Sequence, residues 1–216
     1  MNIQHKEELI EITKELATSD DPAHDFLHLL RVLGNAEKIA AVEGGDLDVI
    51  IPAALFHDIV IYPKNDSRSK HANDQSAEKA REILIKLDWY PQEKISHVMN
   101  AIERCSYSKN LPKESLEEYI VQDADFLESV GTIAVARTFV STGQMKRLMY
   151  CLEDIEGHSR DLAQSVSEYA LDLFPARLFR VKERMYTKTA KAIAQKREET
   201  MKHFYDAFLA EIKGEQ

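Results

Sequence analysis

Cysteine, glycine and proline are scarce in this sequence. Two Cys, at positions 105 and 151 of 216 residues, make no disulfide framework. They fit a reducing cytoplasm. Seven Gly and six Pro leave little material for turns, which argues against a turn-rich β architecture and for helices. Positive charge is in deficit: 28 Lys and Arg face 37 Asp and Glu, for a net charge of −9. That balance argues against polymeric nucleic acid as a partner, because its phosphates want a positive field. A small phosphorylated ligand stays allowed where a metal or local cations neutralise it. No apolar run approaches the length of a membrane span. The opening stretch "MNIQHKEELIEITKEL" is amphipathic and charged, with no apolar core of a signal peptide. The expected setting is the cytoplasm, away from membranes. Alternating β-branched strand patterns, internal repeats, low-complexity tracts and an obvious linker are all missing too.

What is present is a series of helical patterns. At 44% hydrophobic, the chain can bury a sizeable core. Residues 3–17 carry Ile3, Leu9, Ile10, Ile12 and Leu16 at three- and four-residue spacing. Asp20-Asp21-Pro22 offers a cap and a first turn for a second helix that runs to about residue 42, where Gly44-Gly45 stops it. Asp46 can cap a third helix that reaches Asp58, with Pro52 expected to kink it or delay its start. Residues 61–71 read as loop. Helices are expected at about 73–88, 91–107 and 115–141, the last opened by a capping box at Ser115-Leu116-Glu117-Glu118. A helix near 159–173 and a long one over about 176–213 complete the pattern. The expected fold is all-α: one compact multi-helix domain over 1–216, with a core at about 20–141 and a helical C-terminal extension at about 159–213.

Chemistry concentrates at a few polar residues in apolar surroundings. "AALFHDIV" ends an apolar run in His57-Asp58, and "DPAHDFLHLLRV" holds a second pair, His24-Asp25. Eight His and fifteen Asp in this length give about half an adjacent pair by chance, so the dipeptide alone says little. His57-Asp58 has a bland explanation as a helix end, where His meets the last carbonyls and Asp starts a turn. His28, between Leu27 and Leu29, has one as a hydrogen-bonded core histidine. "EYIVQDADFLESV" then puts Asp123 and Asp125 among apolar neighbours, where a carboxylate is costly to bury unless paired or bound to a cation. Two imidazoles and two carboxylates suit one divalent ion of the Mn, Fe, Co, Ni or Zn type, with positions left open for water and substrate.

Read in order, "HDFLHLLRVLGNA", "AALFHDI", "HANDQSAEKA" and "VQDADFLESVGTIAVART" resemble the HD-domain superfamily of metal-dependent phosphohydrolases. The similarity is to its small stand-alone members. The resemblance implies an all-α fold with a metal between helices. It implies His28, in its "H-x-x-R-V" context, His57, Asp58 and Asp125 as ligands, with Asp123 the rival for the last place. His24-Asp25 becomes a neighbouring helix-start pair. His71 and Asp74, otherwise explained by Asn73 or Asp74 capping a helix, are implied over the open metal face with Asp58 as acid, base or second-metal ligands. Cys105 stands where similar proteins tend to have His, which counts against a second metal; a small buried residue is its simpler reading. Arg31 and Arg137 are candidates for phosphate, or else ion-pair partners on an acidic protein. The implied activity is hydrolysis of a phosphate ester or anhydride, a nucleotide among the candidates. The other readings are a diiron oxygenase and a non-catalytic metal-binding regulator that dimerises through its C-terminal helices.

Overall fold

The computed structural model describes residues 1–17, 25–62, 66–105, 111–166 and 168–215. Its helices form two compact units, Met1–Asp125 and Phe126–Gln216. The fold is all-α. Among the described residues the only β pairing is one isolated bridge, Leu148 with Tyr169.

The first unit is built around its most apolar helix. Helices α1 (Ile3–Leu16), α2 (Phe26–Glu43), α4 (Ala72–Leu84) and α5 (Ile95–Cys105) all pack on α3 (Leu47–Phe56). Every α3 residue from Val49 to Phe56 is buried, as befits a helix that is apolar on all sides. Leu55 and Phe56 are fully enclosed, each contributing about 1.5–3 kcal/mol by burial. The Asp46 carboxylate caps α3, accepting from the Asp48 N–H at 2.9 Å.

Pro52 lies inside α3 and has no N–H for the Asp48 carbonyl one turn back. The Tyr90 hydroxyl, reaching in from the turn before α5, donates to that carbonyl at 2.8 Å. A partly buried acceptor that the sequence leaves without its helical donor is thus supplied from 42 residues away.

α2 is capped by Asp25, whose carboxylate accepts from the His28 N–H at 2.9 Å. Asp20, Asp21 and Pro22, the start that the sequence offers, lie outside the described residues. His24 and the residues around it lie outside the described set. The helix stops at Gly44, whose φ of 89° favours glycine. A short 3-10 helix, Ser67–His71, leads into α4, so His71 is the residue that precedes α4 and gives it no side-chain cap. The capping role expected of Asn73 or Asp74 is not found: both lie in the first turn, and Asn73 donates to the Cys105 sulfur at 3.5 Å.

α6 (Leu116–Phe126) opens with the expected box in modified form. Ser115 Oγ accepts from the Glu118 N–H, while the Glu118 carboxylate accepts from the N–H of Glu114, one residue further out. The single helix expected over 115–141 is broken. After Phe126 the chain tightens to a 3-10 turn, Leu127–Ser129, and restarts at Gly131 as α7 (Thr132–Gln144). Gly131 has φ of 92°, and a Cβ there would stand 2.9 Å from the Arg197 Cβ. Only glycine satisfies both the conformation and the approach.

In the second unit the helix expected at 159–173 shrinks to α8 (Leu162–Ser165), and α9 (Leu173–Ala176) follows a turn. The long C-terminal pattern splits into a 3-10 segment, Leu178–Arg184, and α10 (Lys188–Lys213), which Thr187 caps. Phe139, Phe174, Phe179, Phe204 and Phe208 make this unit's aromatic core, with ring centroids 5.6–6.4 Å apart in the pairs that touch. No helix among the described residues is long and apolar enough to cross a membrane.

Candidate metal centre

Three helix ends of the first unit carry the site. His28 is the third residue of α2, positioned by the Asp25 cap on its own N–H. His57 ends α3. Its ring Nδ1 lies 2.9 Å from the Ala54 carbonyl. A carbonyl can only accept, so this nitrogen carries the proton in that bond, and the lone pair of the neutral ring is on Nε2. The bland reading of His57 and the functional one therefore hold together: one nitrogen satisfies a helix-terminal carbonyl, the other faces the site. Asp125 is the penultimate residue of α6, just before the break.

His28, His57 and Asp125 each offer a ligand atom, all within 4.8 Å of one another. From Asp125 Oδ1 the Nε2 atoms of His28 and His57 lie 3.6 and 3.9 Å away. From Asp58 Oδ2 they lie 3.9 and 3.6 Å away, although Asp58 is not in the group of three. These separations are too long for hydrogen bonds. Two ligands about 2.1 Å from one ion stand roughly 3.0 Å apart at a right angle and about 4.2 Å apart in line. All four distances fall in that window, so the donor set fits a divalent ion. The imidazole rings meet edge to face, 5.4 Å between centroids and 62° between planes. Both are buried, whereas the Asp58 and Asp125 side chains are 25% and 30% exposed. The carboxylates therefore mark the side from which solvent or a substrate can approach.

Asp123 is fully buried on α6 and is not a member of the group. Half-buried Lys113 lies in the field of the Glu118 and Asp123 carboxylates. Burial pushes its ammonium below its usual pKa against the pull of those acids. Cys105 is buried, as the simpler reading expected, its thiol donating to the Ile102 carbonyl at 3.0 Å. His71 Nδ1 and Asp74 Oδ2 are 3.6 Å apart, on side chains that are both about half exposed. Arg31 lies one turn beyond His28 on α2 and is partly buried. Arg137, in the second unit, donates to the Glu128 carbonyl at 3.1 Å. Asn35 has no counterpart in the sequence reading. Its signal there is a lone amide within the apolar stripe of α2, and in the fold it donates to the Ala124 carbonyl at 3.2 Å.

The HD domain family model matches residues 25–129, an interval that holds His28, His57, Asp58 and Asp125 together. The chain belongs to the HD-domain superfamily. Among its relatives is the uncharacterized protein YpgQ of Bacillus subtilis (strain 168), 28% identical over 98% of this chain and 96% of that one. A crystal structure of YpgQ in complex with ADP shares the fold, with a TM-score of 0.72 and 24% identity over 98% of this chain and all of that one. An HD-superfamily hydrolase from Bacillus thuringiensis is 29% identical over 96% of both chains, with a TM-score of 0.71. The Lin1889 protein from Listeria innocua is 30% identical over 99% of this chain and 98% of that one, with a TM-score of 0.68.

Proposed function

We propose that this protein is a metal-dependent phosphohydrolase that acts on a phosphate ester or anhydride of a nucleotide. The observation that carries the reading is the convergence of His28 Nε2, His57 Nε2 and Asp125 Oδ1 beside Asp58. Two imidazoles with carboxylates favour a borderline ion of the Mn, Fe, Co, Ni or Zn type over Mg or Ca. Such an ion supplies Lewis acidity, toward a phosphoryl oxygen and toward the acidity of a water. His28, His57, Asp58 and Asp125 would hold it. The buried rings keep one flank dry, and the half-open carboxylates leave room for the phosphoryl group. Asp58 takes the proton of the attacking water as the new O–P bond forms. His71, paired with Asp74, protonates the oxygen that leaves as the old P–O bond breaks. Arg31 supplies positive charge one turn along α2 from His28. The nucleotide class rests on the ADP complex of YpgQ.

Chelator-treated protein is compared with metal-restored protein on a panel of phosphate monoesters and nucleoside di- and triphosphates. Phosphate release is expected only with metal restored. His57→Ala should lose both bound metal, by elemental analysis, and release. Retained metal with no release from any substrate would favour the non-catalytic regulator. Two irons per chain with a visible absorption band would favour oxygen chemistry.

A further inference from the structure

We infer that Asn35 is a positioning residue for the metal centre: its amide, bonded to the Ala124 carbonyl, holds Asp125 at the spacing from His28 that a shared ion needs. The inference rests on the metal-site reading above.

Asn35 is 4% exposed, and its Nδ2 donates to Ala124 O across 89 residues of sequence. It stands seven residues after His28 on α2. Seven residues are close to two full turns, so both side chains leave the same face, about 10.5 Å apart along the axis. One rigid helix therefore presents both the first histidine and the amide.

The other end of the bond is placed to matter. The Ala124 carbonyl and the Asp125 N–H belong to one planar peptide unit, so fixing that oxygen fixes the plane from which the Asp125 Cα hangs. Ala124 O is also one of the last four carbonyls of α6, which no regular i+4 donor serves once the helix stops at Phe126. Helix ends without such partners fray. Asp125 sits in this last turn and yet must keep its carboxylate 3.6 and 3.9 Å from two ring nitrogens on other helices.

Packing alone gives no reason for an amide here. Its stripe on α2 is otherwise His28, Leu29, Val32, Leu33, Ala36, Ile39 and Ala40. An apolar side chain of similar volume would fill the space without the desolvation that a buried amide requires.

The test is Co2+ alone, titrated into the full-length apo chain and followed by its visible d–d absorption. That band reports coordination geometry without any turnover. Asn35→Leu keeps the volume and removes the donor. It should weaken Co2+ by about tenfold or more, as lost outer contacts to ligands do, and change the shape of the band. Asn35→Ala is read alongside in case Leu overpacks. Thr13→Val is the control: it removes a fully buried hydroxyl that bonds the Leu9 carbonyl at 2.7 Å, within α1. It should leave affinity and band unchanged. Either Asn35 variant, folded by circular dichroism, with wild-type affinity and band overturns the inference. So does equal weakening by Thr13→Val, or failure of both Asn35 variants to fold, which assigns the amide to the fold alone. Wild-type protein that takes up no Co2+ overturns the metal reading itself, and this inference with it.

Discussion

Tyr90→Phe removes one oxygen and should destabilise the first unit by about 1–3 kcal/mol. The hydroxyl bonds the Asp48 carbonyl, which Pro52 cannot serve. Tyr90 is only 2% exposed, so water has little access to replace it. Asp48 itself is only partly buried, so the loss lies between the net worth of an average hydrogen bond, about 1 kcal/mol, and the full cost of stranding an acceptor. In a chain of this length that amounts to a fall of about 2–4 °C in Tm per kcal/mol. A second background separates this cause from packing. Pro52→Ala restores an N–H at residue 52, one turn from the same carbonyl. In that background Tyr90→Phe should cost less, with a coupling energy of about 1 kcal/mol. The measurement is urea unfolding of the four apo chains followed by the fluorescence of Trp89, the single tryptophan, with m-values compared. An equal cost in both backgrounds, within about 0.3 kcal/mol, would refute the account of Pro52 and Tyr90.

Two further outcomes follow from the same structure. Asp125→Asn should lose metal at a fixed low concentration, because an amide oxygen is an uncharged and poorer ligand, whereas Asp123→Asn should keep it. Elemental analysis of both variants decides, and metal retained by Asp125→Asn but lost by Asp123→Asn reverses the two roles. The Asp48 carboxyl is held below its usual pKa of 3.8, chiefly by the hydrogen bond from Lys94, which burial only partly opposes. A depressed carboxyl contributes stability that is complete above its unfolded pKa and is lost as pH falls through the folded value. Asp48→Asn should therefore flatten the acid limb of the stability curve below about pH 4 and leave its shape near neutrality unchanged. An acid limb as steep as that of the wild type would refute the reading that the Lys94 and Met1 ammonium groups hold this carboxyl low.

The sequence by itself determined the helical class and most of the elements of the first unit. Gly44 ends α2, Asp46 begins α3 and Ser115 begins α6 where their local chemistry says they should, because caps are satisfied within a few residues. It also marked the polar residues that an apolar run cannot hold without a reason: His28, His57, Asp58 and the two aspartates of α6. Tertiary structure decided what those residues face. Asp123 and Asp125 are equal in pattern, and only the packing of α2, α3 and α6 brings the second of them to the two rings. The break after Phe126 was equally out of reach. It depends on Gly131 meeting an Arg197 side chain 66 positions away, and apolar periodicity runs through the break unchanged. The same holds for Asp48, Pro52 and Tyr90. A proline inside a helical pattern shows that a carbonyl will want a donor, but which side chain answers is a matter of distance in space, and spacing along the chain carries no record of it.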